Sequence, residues 1–208
     1  MRVGICIPAR GLMEVNTAFD LAMMVGHLAT NTKHKVNVYT AQGTLIFDQR
    51  NKMVDWAISE GCDYILFIDA DMRFPKDTFD RLLKHKKDII GVNATTRMMP
   101  PKPTAKNIQI NEDGSIDWIG VYSNKEKGIG KIDAIGCGVM LIKVSCLKDI
   151  PKPYFYFENL PGSGLLGEDI YFCIKAKDAG IQTWVDHDLS MEIGHVGSYI
   201  YGWDDIKD

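Results

Sequence analysis

The 208-residue chain reads as an α/β protein, a mostly parallel sheet flanked by helices with a small antiparallel hairpin. Three observations predict this. Short apolar runs alternate with segments of helical spacing as far as about residue 95. One of those runs, Tyr64-Ile65-Leu66-Phe67-Ile68, is apolar throughout, as a buried strand is. Beyond residue 95 the pattern changes to a Pro-rich stretch and paired β-type runs.

Val3–Ile7 is the first predicted strand, with Pro8 as its stop. Glu14–Thr30 has helical spacing, with Phe19, Met23 and Met24 on one side. Lys35–Thr40 alternates, placing Val36, Val38 and Thr40 on one strand face. Ile46, Met53, Val54 and Ala57 share a helical face, and Gly61 closes that helix. Tyr64–Ile68 is the central strand, Pro75–His85 a helix with Phe79, Leu82 and Leu83 inward, and Asp88–Val92 the next strand. Thr95–Lys106, with Pro100, Pro101 and Pro103, must be an extended loop. Ile108–Ile110 and Ile116–Ile119 flank Asn111-Glu112-Asp113-Gly114, a hairpin signal. Ala134–Lys143 reads as a Gly-interrupted strand, and Val144–Ile150 as a short helix stopped by Pro151. Glu168–Ala179 is a helix closed by Gly180, and Gln182–Val185 the last strand. The pattern predicts one domain over 1–208, with a nucleotide-binding half (about 1–95) and an acceptor-binding half (about 96–208).

Composition narrows the function classes. Hydrophobic residues make up 46% of the chain, enough for a full core. The net charge is −3, and no Lys/Arg run marks a nucleic-acid or membrane surface. The five Cys residues are scattered and form no C-x-x-C pair, which predicts reduced, buried thiols in a reducing compartment. No stretch reaches the ~18 apolar residues of a membrane span. These features predict a soluble, cytoplasmic protein.

The chemistry starts at Asp69-Ala70-Asp71, where the central strand ends. Open α/β sheets bind ligands outside the carboxyl ends of their strands. Two carboxylates there repel unless a cation lies between them, and oxygen ligands suit Mg²⁺ or Mn²⁺ with a phosphate completing the shell. A helix cap would need one acid, not two. Ile7-Pro8-Ala9-Arg10-Gly11 lacks a G-x-G-x-x-G but can cradle a nucleoside, with Arg10 toward base or phosphate. Arg10 on a solvated loop is the plain alternative. Arg50, early in the second helix, can reach the same rim, where its planar fork suits a diphosphate, or it can pair with a nearby acid. Arg97 follows the fourth strand in a similar position. Gly167-Glu168-Asp169 follows a Gly-rich segment and opens a helix. Acids there suit the helix dipole, yet paired carboxyls also raise one pKa toward that of a useful base. Asp169 is then the proton acceptor, and Glu168 helps bind the acceptor. His195, flanked by Gly194 and Val196-Gly197, is the candidate third metal ligand, with His187 as its rival.

Taken in order, these pieces resemble small GT-A-fold glycosyltransferases of the family 2 type. Val3–Pro8 resembles the first nucleotide-binding strand. Arg50-Asn51 leading to Asp63–Asp71 resembles the family's Arg-Asn followed by Asp-x-Asp. Gly136–Ile142 resembles the small-residue strand behind the sugar site, and Gly167-Glu168-Asp169 with Phe172 the Glu-Asp base motif. The resemblance implies a nucleotide-sugar donor, a sugar or other hydroxyl acceptor, and Mn²⁺ or Mg²⁺ held by Asp71, with Asp69 and His195 assisting. It implies Asp169 as base, and nucleotide contacts from Pro8, Ala9, Arg10, Arg50, Asp69 and Ala70. Tyr154–Phe157 and Trp118 offer flat faces for an acceptor, and the Gly162–Gly167 loop would close over the donor. Pro8-Ala9-Arg10 departs from the usual Pro-Thr-x-Asn, and no Gln-x-x-Arg-Trp of processive synthases is present. The length fits a stripped catalytic domain of a kind found in phages and bacteria. A nucleotidyltransferase using the same metal–diphosphate site, or a non-catalytic nucleotide- or carbohydrate-binding module, are the alternatives.

Overall fold

The structure, a computed structural model, describes residues 1–112, 116–160, 164–197, 200–203 and 206. The first half alternates strand and helix: β1 (Arg2–Ala9), α1 (Val15–Asn31), β2 (Lys35–Gln42), α2 (Ile46–Ser59), β3 (Tyr64–Ile68), β4 (Met72–Arg73), α3 (Thr78–Lys84) and β5 (Ile89–Gly91). The second half adds β6 (Lys106–Ile110), β7 (Ile116–Gly120), β8 (Ile129–Ile132), β9 (Val139–Lys143), β10 (Glu158–Leu160), β11 (Gly164–Leu166), α4 (Glu168–Asp178), β12 (Thr183–Asp186), α5 (His187–Ser190), β13 (Gly194–Val196) and β14 (Ile200–Tyr201).

Seven strands form the central sheet in the order β2-β1-β3-β9-β5-β12-β8. β1, β2, β3, β5 and β12 run one way, and β8 and β9 run the other. The mostly parallel α/β reading therefore holds. β9 comes from the second half but lies between β3 and β5, so the two predicted halves share one sheet. Alternation along β1 and β3 sorts the core onto two faces. Cys6, Ile65 and Phe67 pack with α2 (Met53, Val54, Ala57) and α4 (Phe172, Cys173, Ala176). Val3, Ile5, Leu66 and Ile68 pack with α1 (Met24, Leu28) and α3 (Phe79, Leu82). All five cysteines are buried and free. Among the described residues no helix is long and apolar enough to cross a membrane.

Several boundaries differ from expectation for physical reasons. Pro8 does not stop β1, because the pairing with β3 ends at Cys6 and only β2 flanks Pro8. Its missing N–H therefore interrupts little of the ladder. The buried face of α1 is Thr17, Asp20, Met24 and Leu28, while Phe19 and Met23 are exposed. Asp20 is drawn inward by Arg73, whose Nε donates to its carboxylate at 2.6 Å, and by the Phe74 N–H. The predicted 75–85 helix shortens to α3, preceded by a turn in which Thr78 Oγ1 donates to the Pro75 carbonyl. The strand expected at Ala134–Lys143 begins only at β9, and β8 precedes it. β12 is not the last strand: β13 and β14 follow, and β13 pairs with β4. The hairpin β6–β7 forms as expected, although Asp113, Gly114 and Ser115 lie outside the described residues. Of the Gly-rich segment, Pro161, Gly162 and Ser163 also lie outside them, and Gly164–Leu166 pair as β11 with β10.

Candidate active site

The sheet's carboxyl rim fixes Asp69-Ala70-Asp71 through backbone bonds on every side. The Asp69 N–H donates to the Gly138 carbonyl of the turn before β9, and the Met72 N–H donates back to the Asp69 carbonyl. The Ala70 carbonyl accepts from the Glu14 N–H, and the Asp71 carbonyl accepts from the Val196 N–H at 2.7 Å. The β4–β13 pairing sets His195 opposite Met72 and so beside Asp71. A stretch more than a hundred residues away in sequence thus completes the turn.

A cleft of about 670 Å³ opens over this turn. Pro8, Ala9 and Arg10 from the end of β1 line it together with Asp69, Ala70, Asp71, Arg97 and His195. All of the predicted nucleotide and metal residues except Arg50 meet there. Arg50 is 1% exposed and lies beneath the rim, within reach of Asp69 and Glu168. Its Nη2 donates to Asp69 Oδ1 at 2.8 Å and its Nε to Glu168 Oε1 at 3.2 Å, with the guanidinium over the Phe67 ring. Of the two readings of Arg50, the structure shows the pairing with acids: it is a buried clamp joining two of them. Its neighbour Asn51 is also structural, donating to the Phe47 and Phe155 carbonyls and accepting from the Tyr154 and Phe155 N–H groups. His187, the rival ligand, is buried against Ser123 Oγ and Gly130, away from the cleft.

Asp71 is held by a guanidinium and an imidazole. Arg97 Nη1 lies 2.8 Å from one carboxylate oxygen and His195 Nε2 3.4 Å from the other. Burial opposes ionisation of Asp71, but His195 and Arg97 outweigh it and hold its carboxyl below the usual range. Burial likewise disfavours a charged His195, yet Asp71 and the Thr95 carbonyl lift its pKa above the ordinary value. His195 Nδ1 donates to the Thr95 carbonyl at 2.8 Å, which turns Nε2 toward Asp71. Metal-binding imidazoles are oriented this way, with the second nitrogen tied to a carbonyl. Among the described residues no group of three or more His, Cys, Asp or Glu side chains could hold a metal. The protein therefore offers a pair, Asp71 and His195, while Asp69 is drawn aside by Arg50. Such a pair fits Mg²⁺ or Mn²⁺ shared with a ligand's phosphate oxygens.

Glu168 and Asp169 open α4, and a second cleft of about 670 Å³ fronts Asp169. Burial, and then the neighbouring Glu168 charge, push Asp169 up to about 6 against the opposing Ile170 N–H and Arg50. Its Oδ1 accepts from the Ile170 N–H at 2.8 Å. Trp118 lines this cleft as an aromatic face. Tyr154 and Phe155 do not offer one: both are buried, with Phe155 stacked on Phe172 at 4.8 Å. The segment from Thr95 to Thr104 forms the wall between the clefts, sending Arg97 into the first and Thr96, Met98 and Thr104 into the second.

No protein-family model and no curated protein matches the chain. Solved structures do. A197 from STIV superposes with a TM-score of 0.62 at 17% identity, covering 99% of this chain and 92% of that one. GalNAc-T7, crystallised with UDP, GalNAc and Mn²⁺, gives 0.58 at 10% identity, covering 95% of this chain and 44% of its own. The catalytic domain of Drosophila β1,4-galactosyltransferase 7, in complex with xylobiose, gives 0.54 at 16% identity, covering 94% and 71%. The fold is GT-A. At these identities the likeness concerns the fold alone. The GT-A reading made from motif order thus agrees with the superpositions.

Sequence reasoning missed three parts of the two clefts. The Arg97–Asp71 pair joins a loop to a strand end, and no local pattern signals it. The β4–β13 pairing involves only two or three residues on each side, too short for a periodicity. Lys102, Lys106 and Tyr122 in the second cleft went unremarked because lysines and a tyrosine around a hairpin resemble any solvated surface.

Proposed function

We propose that the protein is a metal-dependent glycosyltransferase that moves a sugar from a nucleotide-sugar donor to an acceptor hydroxyl. One observation carries this reading. Asp169, a carboxyl raised to about 6, faces a second cleft across a single loop from the cleft of Asp69, Asp71 and His195. A general base placed apart from the phosphate site suits attack at a sugar carbon, whereas a binding module needs no such group.

In this mechanism Pro8, Ala9 and Ala70 cradle the nucleoside, and Arg10 and Arg97 provide cations for the diphosphate. Asp71 and His195 would hold Mn²⁺ or Mg²⁺, which when bound neutralises charge on the departing diphosphate as a Lewis acid. Asp69, fixed by Arg50, faces the ribose side of the donor. Asp169 accepts the acceptor hydroxyl's proton as that oxygen attacks the anomeric carbon. The bond to the diphosphate breaks, its electron pair leaves with the nucleoside diphosphate, and the anomeric centre inverts. Glu168 is paired with Arg50, and its closeness helps keep Asp169 basic.

A thermal-shift panel of nucleotide sugars with and without Mn²⁺ tests the reading, starting with UDP-sugars because GalNAc-T7 was crystallised with UDP and Mn²⁺. One donor should raise the melting temperature only with Mn²⁺ and should be turned over with release of nucleoside diphosphate. Pyrophosphate release would instead assign nucleotidyl transfer. Donor binding without turnover across many acceptors would assign a binding module.

A further inference from the structure

The second cleft has a chemistry that the donor reading does not use. Lys102 of the wall loop and Lys106 at the start of β6 line it, with Trp118, Tyr122 and Asp169. Lys106 Nζ lies 6.0 Å from the Trp118 ring centroid. Neither lysine has an ion-pair partner among the described residues, although Lys52, Lys143, Lys152 and Lys177 all do. The cleft therefore presents two uncompensated cations beside a flat aromatic face. A third feature lies deeper. Thr104 Oγ1 is buried with no hydrogen-bond partner, an arrangement that costs free energy unless a ligand satisfies it. It lies 3.4 Å from the point where a side chain on Gly136 would begin, and Asp169 Oδ2 lies 3.5 Å from the same point. The absence of a side chain at Gly136 lets that hydroxyl and the Asp169 carboxylate close on the backbone at the back of the cleft.

Sugar rings stack their C–H faces on aromatic rings, and lysines without an ion-pair partner call for an anion. Building on the transferase reading, we infer that the acceptor is a sugar carrying an acidic group, a carboxylate or a phosphate. Its anion meets Lys102 and Lys106, its ring lies along Trp118, and its reacting hydroxyl meets Asp169, all of which line the one cleft. The Asp169 carboxylate repels the acidic group, which favours the sense of entry that sets the anion at the lysines. The two lysines thereby choose which hydroxyl is presented to the base.

The test is a tryptophan-fluorescence titration of the full chain, without donor or metal, using methyl glucuronide, glucose-6-phosphate and methyl glucoside at one ionic strength. At least one anionic sugar should bind about tenfold tighter than the neutral glucoside, the size of a charge-assisted contact. The tighter of the two identifies carboxylate or phosphate as the group recognised. The Lys102→Gln/Lys106→Gln double variant should lose that preference while keeping its Mn²⁺-dependent nucleotide shift. Equal binding of charged and neutral sugars by the natural protein overturns the inference whether or not the variant folds, and so does a preference that survives the double substitution. An anion preference without any nucleotide shift would sink the transferase reading and leave the anionic-sugar site standing.

Discussion

A carboxyl that titrates near 6 is mostly ionised at pH 7 yet still close enough to hold a proton it has just received, which suits Asp169 to a base's work. The base acts in its ionised form. The kcat/KM for transfer should therefore fall about tenfold per pH unit below about 6 and level off above it. Asp169→Asn should lower kcat about a thousandfold with donor affinity unchanged, and a rate within about threefold of the parent would remove Asp169 from the role. Stability supplies an independent check. The folded pKa is raised from 3.8 to about 6, so the folded state binds this proton more tightly than the unfolded chain. The stability it contributes is full below the unfolded value and is lost as pH climbs through about 6. Asp169→Asn should accordingly melt about 3 °C higher than the parent near pH 8 and gain nothing near pH 4. At the other end of the site, Asp71→Asn should abolish the Mn²⁺-dependent shift while leaving the melting temperature without ligand within about 2 °C, because its carboxylate is only partly buried and its partners Arg97 and His195 can turn to water.

Arg50 shows how elements rather than residues make the site. It rises from α2, reaches the end of β3 through Asp69 and the start of α4 through Glu168, and has almost no contact with water. Removing one partner from such a buried set leaves uncompensated charges. Arg50→Met should cost about 3–5 kcal/mol in denaturant unfolding, and Arg50→Lys should recover little because an ammonium cannot span both acids. If Arg50→Met unfolds at the parent's denaturant midpoint, the clamp is absent in solution. What was legible in the sequence divides along the same line. α2, β3 and α4 were readable because each has its own period or apolar run and its own stop, Gly61 and Gly180 among them. Asp69, Asp71 and Asp169 stand out as candidates because they sit at ends of such elements, whereas His195, in the middle of the unpredicted β13, stands out only by its glycine neighbours. Whether Arg50 faces solvent or the core was not, since that depends on two acids brought from 19 and 118 residues away. Phe19 and Met23 misled for the converse reason: on α1 the buried polar Asp20, paired with Arg73, took the place that hydrophobicity assigned to them.

Across the whole molecule, the entry of β9 between β3 and β5 is what makes two clefts out of one sheet rim. It brings Gly136 and Gly138 to the rim, so the turn that braces Asp69 also packs against Thr104 and Asp169. Asn93, buried where β5 ends, then ties down the wall: its Oδ1 accepts from the Ala105 N–H and its Nδ2 donates to the Val121 carbonyl. Thr96 and Lys102 bond across the wall, which makes Arg97 the tip of a braced loop. Arg97 is half exposed, and among the described residues its charge partner is Asp71. On the proposed reading a divalent cation would compete with Arg97 for one carboxylate until a diphosphate gave the guanidinium a new partner. Arg97→Ala should raise Mn²⁺ affinity in the absence of nucleotide by about three- to tenfold, a modest gain because the pair is open to solvent. With UDP present the sign should reverse, since the diphosphate loses a charge-assisted donor. Calorimetric titration of Mn²⁺ with and without UDP separates the two effects. A fall in both titrations would mean that Arg97 only stiffens the loop, and the opposed signs would mean that the wall passes from metal site to donor as the first cleft fills.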